Sequence, residues 1–439
     1  MRFVFSILLC CAFLPSAYSQ TESYEPMERL TLQDAILRAL EHNYDIRASD
    51  ITAREATANN TAGNAGLLPD VNGTAGVTAG SSNAKIEFAD GRTQEANNAA
   101  SLSYNTGITA NYTLFAFGRA WLIKKQLGIN EELSKVQLRE QMQATVSQTI
   151  QTYARVVWQA QQQVAIDTGL ALAQTRMMLS RVKYETGVSA KVDFLQARVD
   201  YNSRQSDSLQ QIANLNAAFA DLNLLMGADP YKTYDVDDSL VLNAGLTPSD
   251  PERLRSINLS IEAARRNLEM AQLQTKISRT YLYPSLSANA GYNFSKTKSQ
   301  TGTFTFNQNY GPTAGLGLNV PIFRGGNLKR QTKIASLEEL RQELLLEKQS
   351  TDVGRQYRQA WENYQMSVNG YRLEQENIGY AKENLDIQKA RFRVGIATTL
   401  ETREAENSYI QSLIRLYTAA YNLKVNETIV QELESDLVK

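Results

Sequence analysis

The chain has 439 residues, 45 basic and 46 acidic side chains for a net charge of −1, and two cysteines, Cys10 and Cys11. That balance gives no electrostatic reason to expect a nucleic-acid partner, and without its first twenty residues the chain has no cysteine for a disulfide or a thiolate metal site. No later segment holds eighteen consecutive apolar residues, so a membrane span would have to be a closed β-barrel rather than a helix.

Residues 1–20, "MRFVFSILLCCAFLPSAYSQ", set Arg2 before an apolar run and end in Ala17-Tyr18-Ser19, the pattern of a secretory signal peptide. A lipid anchor on Cys10 or Cys11 is disfavoured, because Leu9 and Cys10 stand where a small residue is wanted. The first unit, 21–226, opens with "LTLQDAILRALEHN", where Thr31 and Asp34 match a capping box and Leu32, Ala35, Ile36, Ala39 and Leu40 form one apolar stripe. Pro69 then marks a handover from helix to strand.

Strands are expected over about 70–80 and 101–114, where small or apolar residues alternate with Asn, Thr, Ser and Gly. A helical hairpin follows, its first helix from about Arg119 to Tyr184 and its tip at about 184–192. Apolar residues recur at spacings of three and four (Met142, Val146, Ile150, Tyr153, Val157), the signature of helix against helix. The other faces are unusually polar, which fits a solvated coiled coil or a wall wet on both sides. Residues 227–249 are rich in turn formers and acids and read as an irregular linker.

The second unit, 250–439, repeats the first. At a shift of 215 Pro69 falls on Pro284 and Gly76 on Gly291; at a shift of 208 Phe115 falls on Phe323, Gly118 on Gly326 and Gly187 on Gly395. Asp250-Pro251-Glu252 starts its first helix, strands are expected over about 285–297 and 309–321, and a second hairpin turns at about 392–399. Val353, Tyr357, Trp361, Tyr364, Val368 and Tyr371 carry the packing stripe.

The strands put Val71, Val77, Leu102, Tyr104, Ile108, Leu286, Tyr292, Leu316 and Leu318 on one side and small polar residues on the other. A soluble sandwich alternates too, but four strands on two separated hairpins supply no second sheet to bury the apolar faces. Segments of about ten residues, apolar outward and polar inward, describe a lipid-facing barrel with a wet lumen. Four strands cannot close around a channel, whereas three chains would contribute twelve.

These features resemble the TolC-like outer-membrane efflux family, exit ducts of tripartite pumps and type I secretion systems. The resemblance rests on the duplicated helix-strand-strand-helix-helix unit, the "LTLQDAILRALEHN" opening, the turns "YTLFAFGR" and "PIFRGGN", and the tips "YETGVSAKVDFLQA" and "FRVGIATTLETREA". It implies a mainly α chain with a transmembrane β portion: a homotrimer whose twelve-stranded barrel in outer-membrane lipid continues into an α-barrel tunnel across the periplasm. The linker would form an equatorial belt. The tips, Gly187, Val188, Ser189, Gly395, Ile396 and Ala397, would meet a periplasmic adaptor (membrane fusion protein) and through it an inner-membrane transporter. Glu401 and Glu404 match acidic residues that ring the tunnel's inner end, and Asp193 matches a residue of the constraining network. Thr398 and Glu401 also match a capping box, which would explain Glu401 without a pore. The tyrosine and the basic partner of that family's gate are replaced by Phe392 and Ala397, leaving Arg391, Arg403 or Lys191 as substitutes.

Nothing in the sequence points to catalysis or a cofactor. Its one histidine, His42, has no partners at metal-ligand spacing. The competing reading is a periplasmic adaptor or coiled-coil spacer, which would carry one hairpin rather than two and no amphipathic strands.

Overall fold

The computed structural model describes residues 27–237, 239–301 and 304–438; the expected signal peptide lies outside them. The chain runs β1 (Arg29–Leu30), α1 (Leu32–His42), α2 (Tyr44–Asn59), β2 (Asp70–Glu87), β3 (Thr93–Phe115), α3 (Arg119–Glu185) and α4 (Lys191–Met226). After β4 (Asp235–Val236) it continues with α5 (Pro251–Ile257), α6 (Leu259–Thr280), β5 (Ser285–Ser299), β6 (Phe306–Asn319), α7 (Asn327–Arg393) and α8 (Thr399–Leu433). Both α3 and α7 have 67 residues, roughly 100 Å at 1.5 Å per residue.

The duplication reaches single hydrogen bonds. Asn43 and Asn258, 215 positions apart, each cap the following helix: the Asn43 Oδ1 accepts from the Asp45 and Ile46 amides, the Asn258 Oδ1 from those of Ser260 and Ile261. Each also donates from Nδ2 to the carbonyl of a residue near the end of its own unit, Leu225 and Leu433, both at 3.0 Å. The two units are thereby clamped in the same way.

The packing stripes are buried at mid-height. Tyr153, Val156 and Val157 of α3 pack with Phe219, Leu222 and Met226 of α4 and with Leu30 and Tyr234. Val353, Tyr357 and Tyr364 of α7 pack with Leu254, Ile261, Leu423 and Val430. Segment 239–250 is hung on two tyrosines one heptad apart. The Tyr364 hydroxyl donates to the Asn243 carbonyl (2.8 Å) and accepts from the Leu246 amide, and the Tyr357 hydroxyl accepts from the Ser249 amide (2.7 Å). These partners hold a segment that has no regular structure of its own. The preceding stretch is more regular than the sequence suggested: β4 pairs in parallel with β1, and Arg29 bridges Asp237 at 2.9 Å.

The four long strands form one antiparallel sheet in the order β2-β3-β5-β6, so the two hairpins join through β3 and β5. They exceed the expected ten residues, most of all in the first hairpin. Residues 81–100 lose the apolar alternation, at Ser81, Ser82, Asn83, Asn97 and Asn98, yet their backbones keep pairing past a bulge between Ser82 and Ala84. Among the described residues, no helix is long and apolar enough to cross a membrane.

Around the molecule, α3 packs on α4, α8, α6 and α2, while α7 packs on α8 and α6. One lateral edge is therefore β2, α2 and α4, and the other is β6 and α7.

Candidate functional site

The register decides which residues share a face, because directly paired residues in an antiparallel sheet point the same way. Val71 pairs with Ala110, which pairs with Ala290 and then Ala314; Ile108 pairs with Tyr292, Val77 with Tyr104, Ala79 with Leu102, Ala288 with Leu316 and Leu286 with Leu318. All nine residues singled out on the strands thus lie on one face; Leu102 and Leu286 are half-buried and the other seven exposed. The opposite face carries rows such as Asn72-Thr109-Gly291-Thr313 and Gly76-Asn105-Ser295-Asn309. Asp70 is its one charge between the helix junction and Gly80. Pro69 and Pro284 each immediately precede a strand. A bulge between Thr113 and Phe115 returns Phe115 to the apolar face opposite Leu286.

At the other end the hairpins reverse through two equivalent turns. Gly187 has φ +75° and Gly395 φ +81°, the left-handed conformation that glycine enters without penalty. The Val188 amide donates to the Lys183 carbonyl (2.8 Å) and the Gly187 amide to Tyr184 (3.0 Å); Ile396 and Gly395 repeat this onto Arg391 and Phe392. This pattern ends a helix and reverses the chain. Val188 and Ile396 stand 74% and 69% exposed. Ala397 does not: it is 7% exposed, because the reversal folds it back with its amide on the Arg391 carbonyl. The side chain this turn leaves open is therefore that of Ile396 rather than Ala397. Ser189 is half-buried.

Glu401 closes a capping box, accepting from the Thr398 amide and hydroxyl at 2.7 and 2.8 Å while its own amide donates to Thr398 Oγ1. These bonds, the backbone one first, hold its carboxyl below the usual carboxylate range. Glu404 is exposed one turn on. Asp193 occupies the position equivalent to Glu401, but its N-cap residue is Ala190, which has no hydroxyl to bond it. Asp193 is half-buried, and among the described residues its side chain has no partner.

The link between hairpins takes in one of the substitutes expected for the gate, Arg403, beside two residues that were not expected. Lys183 of α3 places its Nζ 3.9 Å from the centre of the buried Phe392 ring and donates to the Phe392 carbonyl at 3.2 Å. Deeper in, Arg176 of α3, its side chain 4% exposed, pairs with Glu406 of α8 and with Asp200 of α4 at 3.0 Å. Burial pushes the Glu406 carboxyl up and Arg176 pulls it part of the way back. Of the three substitutes expected, Arg403 lies 3.8 Å from Asp200, Arg391 bonds Gln388 of its own helix, and Lys191 is exposed. Sequence reasoning missed Arg176 and Lys183, whose partners lie 230 and 209 positions away. A hint was available in an arginine amid small residues of α3.

His42 is exposed at the end of α1, and among the described residues no three potential ligands cluster for a metal.

An amphipathic sheet at one end of helical hairpins about 100 Å long, with the helix turns at the other end, defines a channel protein in which a β-barrel continues into a helical tunnel. The chain belongs to the outer membrane efflux protein family, whose model matches residues 35–228 and 251–433. It is 26% identical over 259 residues to the outer membrane protein TolC of Vibrio cholerae, a match spanning 58% of this chain and 56% of that protein. It is 21% identical to the proteases secretion protein PrtF of Dickeya chrysanthemi over 90% of this chain and 86% of that one. In fold it is similar to the Campylobacter jejuni CmeC outer membrane channel, with a TM-score of 0.78 at 17% identity over 93% of this chain and 86% of that one. The family is one of channels, and this chain is an outer-membrane exit duct of a Gram-negative bacterium reaching into the periplasm.

Proposed function

We propose that three copies close into a passive pore that carries substrates from the periplasm, or from an inner-membrane pump, to the exterior. The observation that carries this is the pair of unfilled edges. Strands β2 and β6 each have one unpaired side, and in a membrane an open strand edge is untenable. Along the same edge as β6, the exposed residues Met366, Leu373, Tyr380 and Ile387 of α7, and Val394 that caps it, fall at one per heptad. The other edge offers Val192, Leu195, Val199 and Leu209 of α4, also exposed. Edge against edge is a head-to-tail contact, which forms a ring when the rotation from copy to copy closes, here after three. The nine apolar strand residues then face outer-membrane lipid.

In this reading the turns at Gly187 and Gly395 present Val188 and Ile396 to a periplasmic adaptor, and Glu401, Glu404 and Asp193 surround the inner mouth. The negative field there favours cationic solutes and binds multivalent cations. Size-exclusion chromatography with light scattering of the detergent-extracted chain tests the assembly. A trimer from the outer-membrane fraction is expected, and a monodisperse monomer in mild detergent would overturn the proposal.

A further inference from the structure

We propose that Lys296 and Lys298 form a phosphate-binding rim on the outside of the barrel, for the phosphorylated glycolipid of the outer leaflet. The inference rests on where the register puts two charges. Lys296 pairs with Tyr104 and Gln308, and Lys298 with Leu102 and Phe306, so both lysines lie on the apolar face. They are the two charged residues among the paired positions of that face, from the Phe115-Leu286-Leu318 row to the Ala79-Leu102-Lys298-Phe306 row.

Their height fits a headgroup. Five rows without charge, from Leu286 to Phe294 on β5, precede Lys296. At about 3.4 Å per residue and a tilt of about 40°, the Lys296 row stands roughly 25 Å from the Leu286 row, the thickness of the apolar band of such barrels. The helices leave the sheet at the Leu286 end, in the periplasm. The lysines therefore stand where the band ends on the external side, level with the outer-leaflet headgroups.

Among the described residues neither lysine has a carboxylate partner; the one interaction is the Lys296 Nζ 5.5 Å from the Phe306 ring centre. Of the acids on the first hairpin, Glu95 is paired with Lys85 and Asp90 with Arg92, and Glu87 stands eight residues beyond the Ala79 row. Tyr104, Leu102 and Phe306 flank the cations and offer an apolar floor for a lipid whose head is anionic. An ammonium is a compact point charge that binds phosphate well, and two of them two residues apart on one strand lie about 7 Å apart. In the outer leaflet of a Gram-negative outer membrane the anionic groups at this depth are the phosphates on the glycolipid's sugars. The lysines take the place that divalent cations fill between such lipids.

The test is native mass spectrometry of the full-length, detergent-extracted protein titrated with bisphosphorylated outer-membrane glycolipid, the same lipid dephosphorylated, and inorganic phosphate. Wild type is expected to retain the bisphosphorylated lipid, weakened about fivefold for each lysine removed in Lys298→Gln and Lys296→Gln/Lys298→Gln. The Lys296→Arg/Lys298→Arg protein should retain it. Dephosphorylated lipid should bind wild type no better than the phosphorylated lipid binds the double glutamine variant, and equimolar inorganic phosphate should not displace the lipid. The single variant keeps the comparison available should the double variant assemble poorly. Equal retention by wild type and Lys298→Gln, equal binding of the dephosphorylated lipid, or displacement by free phosphate would each overturn the rim.

Discussion

Asp193 and Glu401 occupy equivalent positions in the two tips yet sit in different chemistry. Glu401 is occupied by its capping box, whereas Asp193 has no hydroxyl to hold it. That difference separates a cap from a field. Glu401→Gln preserves the box, since glutamine serves at that position, but removes the charge; Glu401→Ala removes both. If the acidic mouth is real, block of single-channel current by trivalent cations added from the periplasmic side weakens in both variants alike, and further with Glu404→Ala. Unchanged block in Glu401→Gln/Glu404→Ala would leave the acidic ring without support. Because its folded value is depressed, Glu401 contributes stability that is present at neutral pH and lost only as pH falls through that lowered value, and its charge should support block into mild acid. Gly395 makes a second prediction. A Cβ there would meet nothing within 4 Å, so the main cost of Gly395→Val is the left-handed backbone, about 1–2 kcal/mol. The variant should assemble normally and lose pump-dependent export, while Gly395→Asn, which tolerates that conformation, keeps most of it; normal export by Gly395→Val would count against docking at the tip.

Between elements, the contacts that matter are the ones sequence could not announce. The helices were legible because heptad spacing is local, and the sheet face because alternation is local. The extension of the first hairpin through 81–100 was not, since backbone pairing leaves no trace in side-chain pattern once both faces turn polar. The same blindness hid Arg176, which joins α3, α4 and α8 through Asp200, 24 positions away, and Glu406, 230 positions away. Arg176→Ala leaves the Glu406 carboxylate buried and unpaired, at a cost of about 3–5 kcal/mol. Glu406 has a raised value, so its contribution favours the folded tip below that value and is lost as pH rises through it. Without Arg176 the loss is larger. Hydrogen exchange in peptides covering 172–200 and 385–410 should therefore speed up in the variant, more at neutral pH than in mild acid; equal exchange in wild type and variant would mean the pair holds nothing together. Within the sheet, two glycines should respond oppositely. A Cβ at Gly291 would lie 2.8 Å from the Ile108 carbonyl oxygen, backbone that cannot yield, whereas one at Gly315 would meet the Asn289 side chain, which can. Gly291→Ala should impair assembly and Gly315→Ser should not, as read from heat-modifiable migration in gels. Leu316→Arg, on the apolar face, should cost about 2–4 kcal/mol in the same assay.

At the scale of the whole molecule, the order of elements was readable because the sequence is written twice, so each half checks the other. How one copy meets the next was readable only in kind: four strands are too few to close, but which surfaces meet depends on which helix lies at each edge, and that emerges only once α3 is seen packed on α8 with α4 and α7 left outermost. The last prediction concerns this seam. Along α7 the heptad stripe of Met366, Leu373, Tyr380 and Ile387 is left exposed by the described residues, although the neighbouring stripe of Tyr357, Tyr364 and Val368 is buried. One helix thus carries two apolar seams, the form expected of an interior stave rather than of a coiled coil with one wet side. Burying a residue such as Leu373 against the α4 edge of a second copy contributes about 1.5–3 kcal/mol per site, repeated at each seam of a ring. Placing charge there reverses the sign without touching the protomer's own core. Leu373→Glu/Tyr380→Glu should therefore yield a folded chain, with helix content by circular dichroism equal to wild type, that no longer forms a trimer. Pairing it with Leu209→Lys on α4, which lies as far from its turn as Leu373 does from the other, should recover part of the assembly, because the glutamate at position 373 would face a lysine across the seam. A double glutamate variant that still assembles at wild-type concentration would place the seam elsewhere and remove the helical half of the argument for closure.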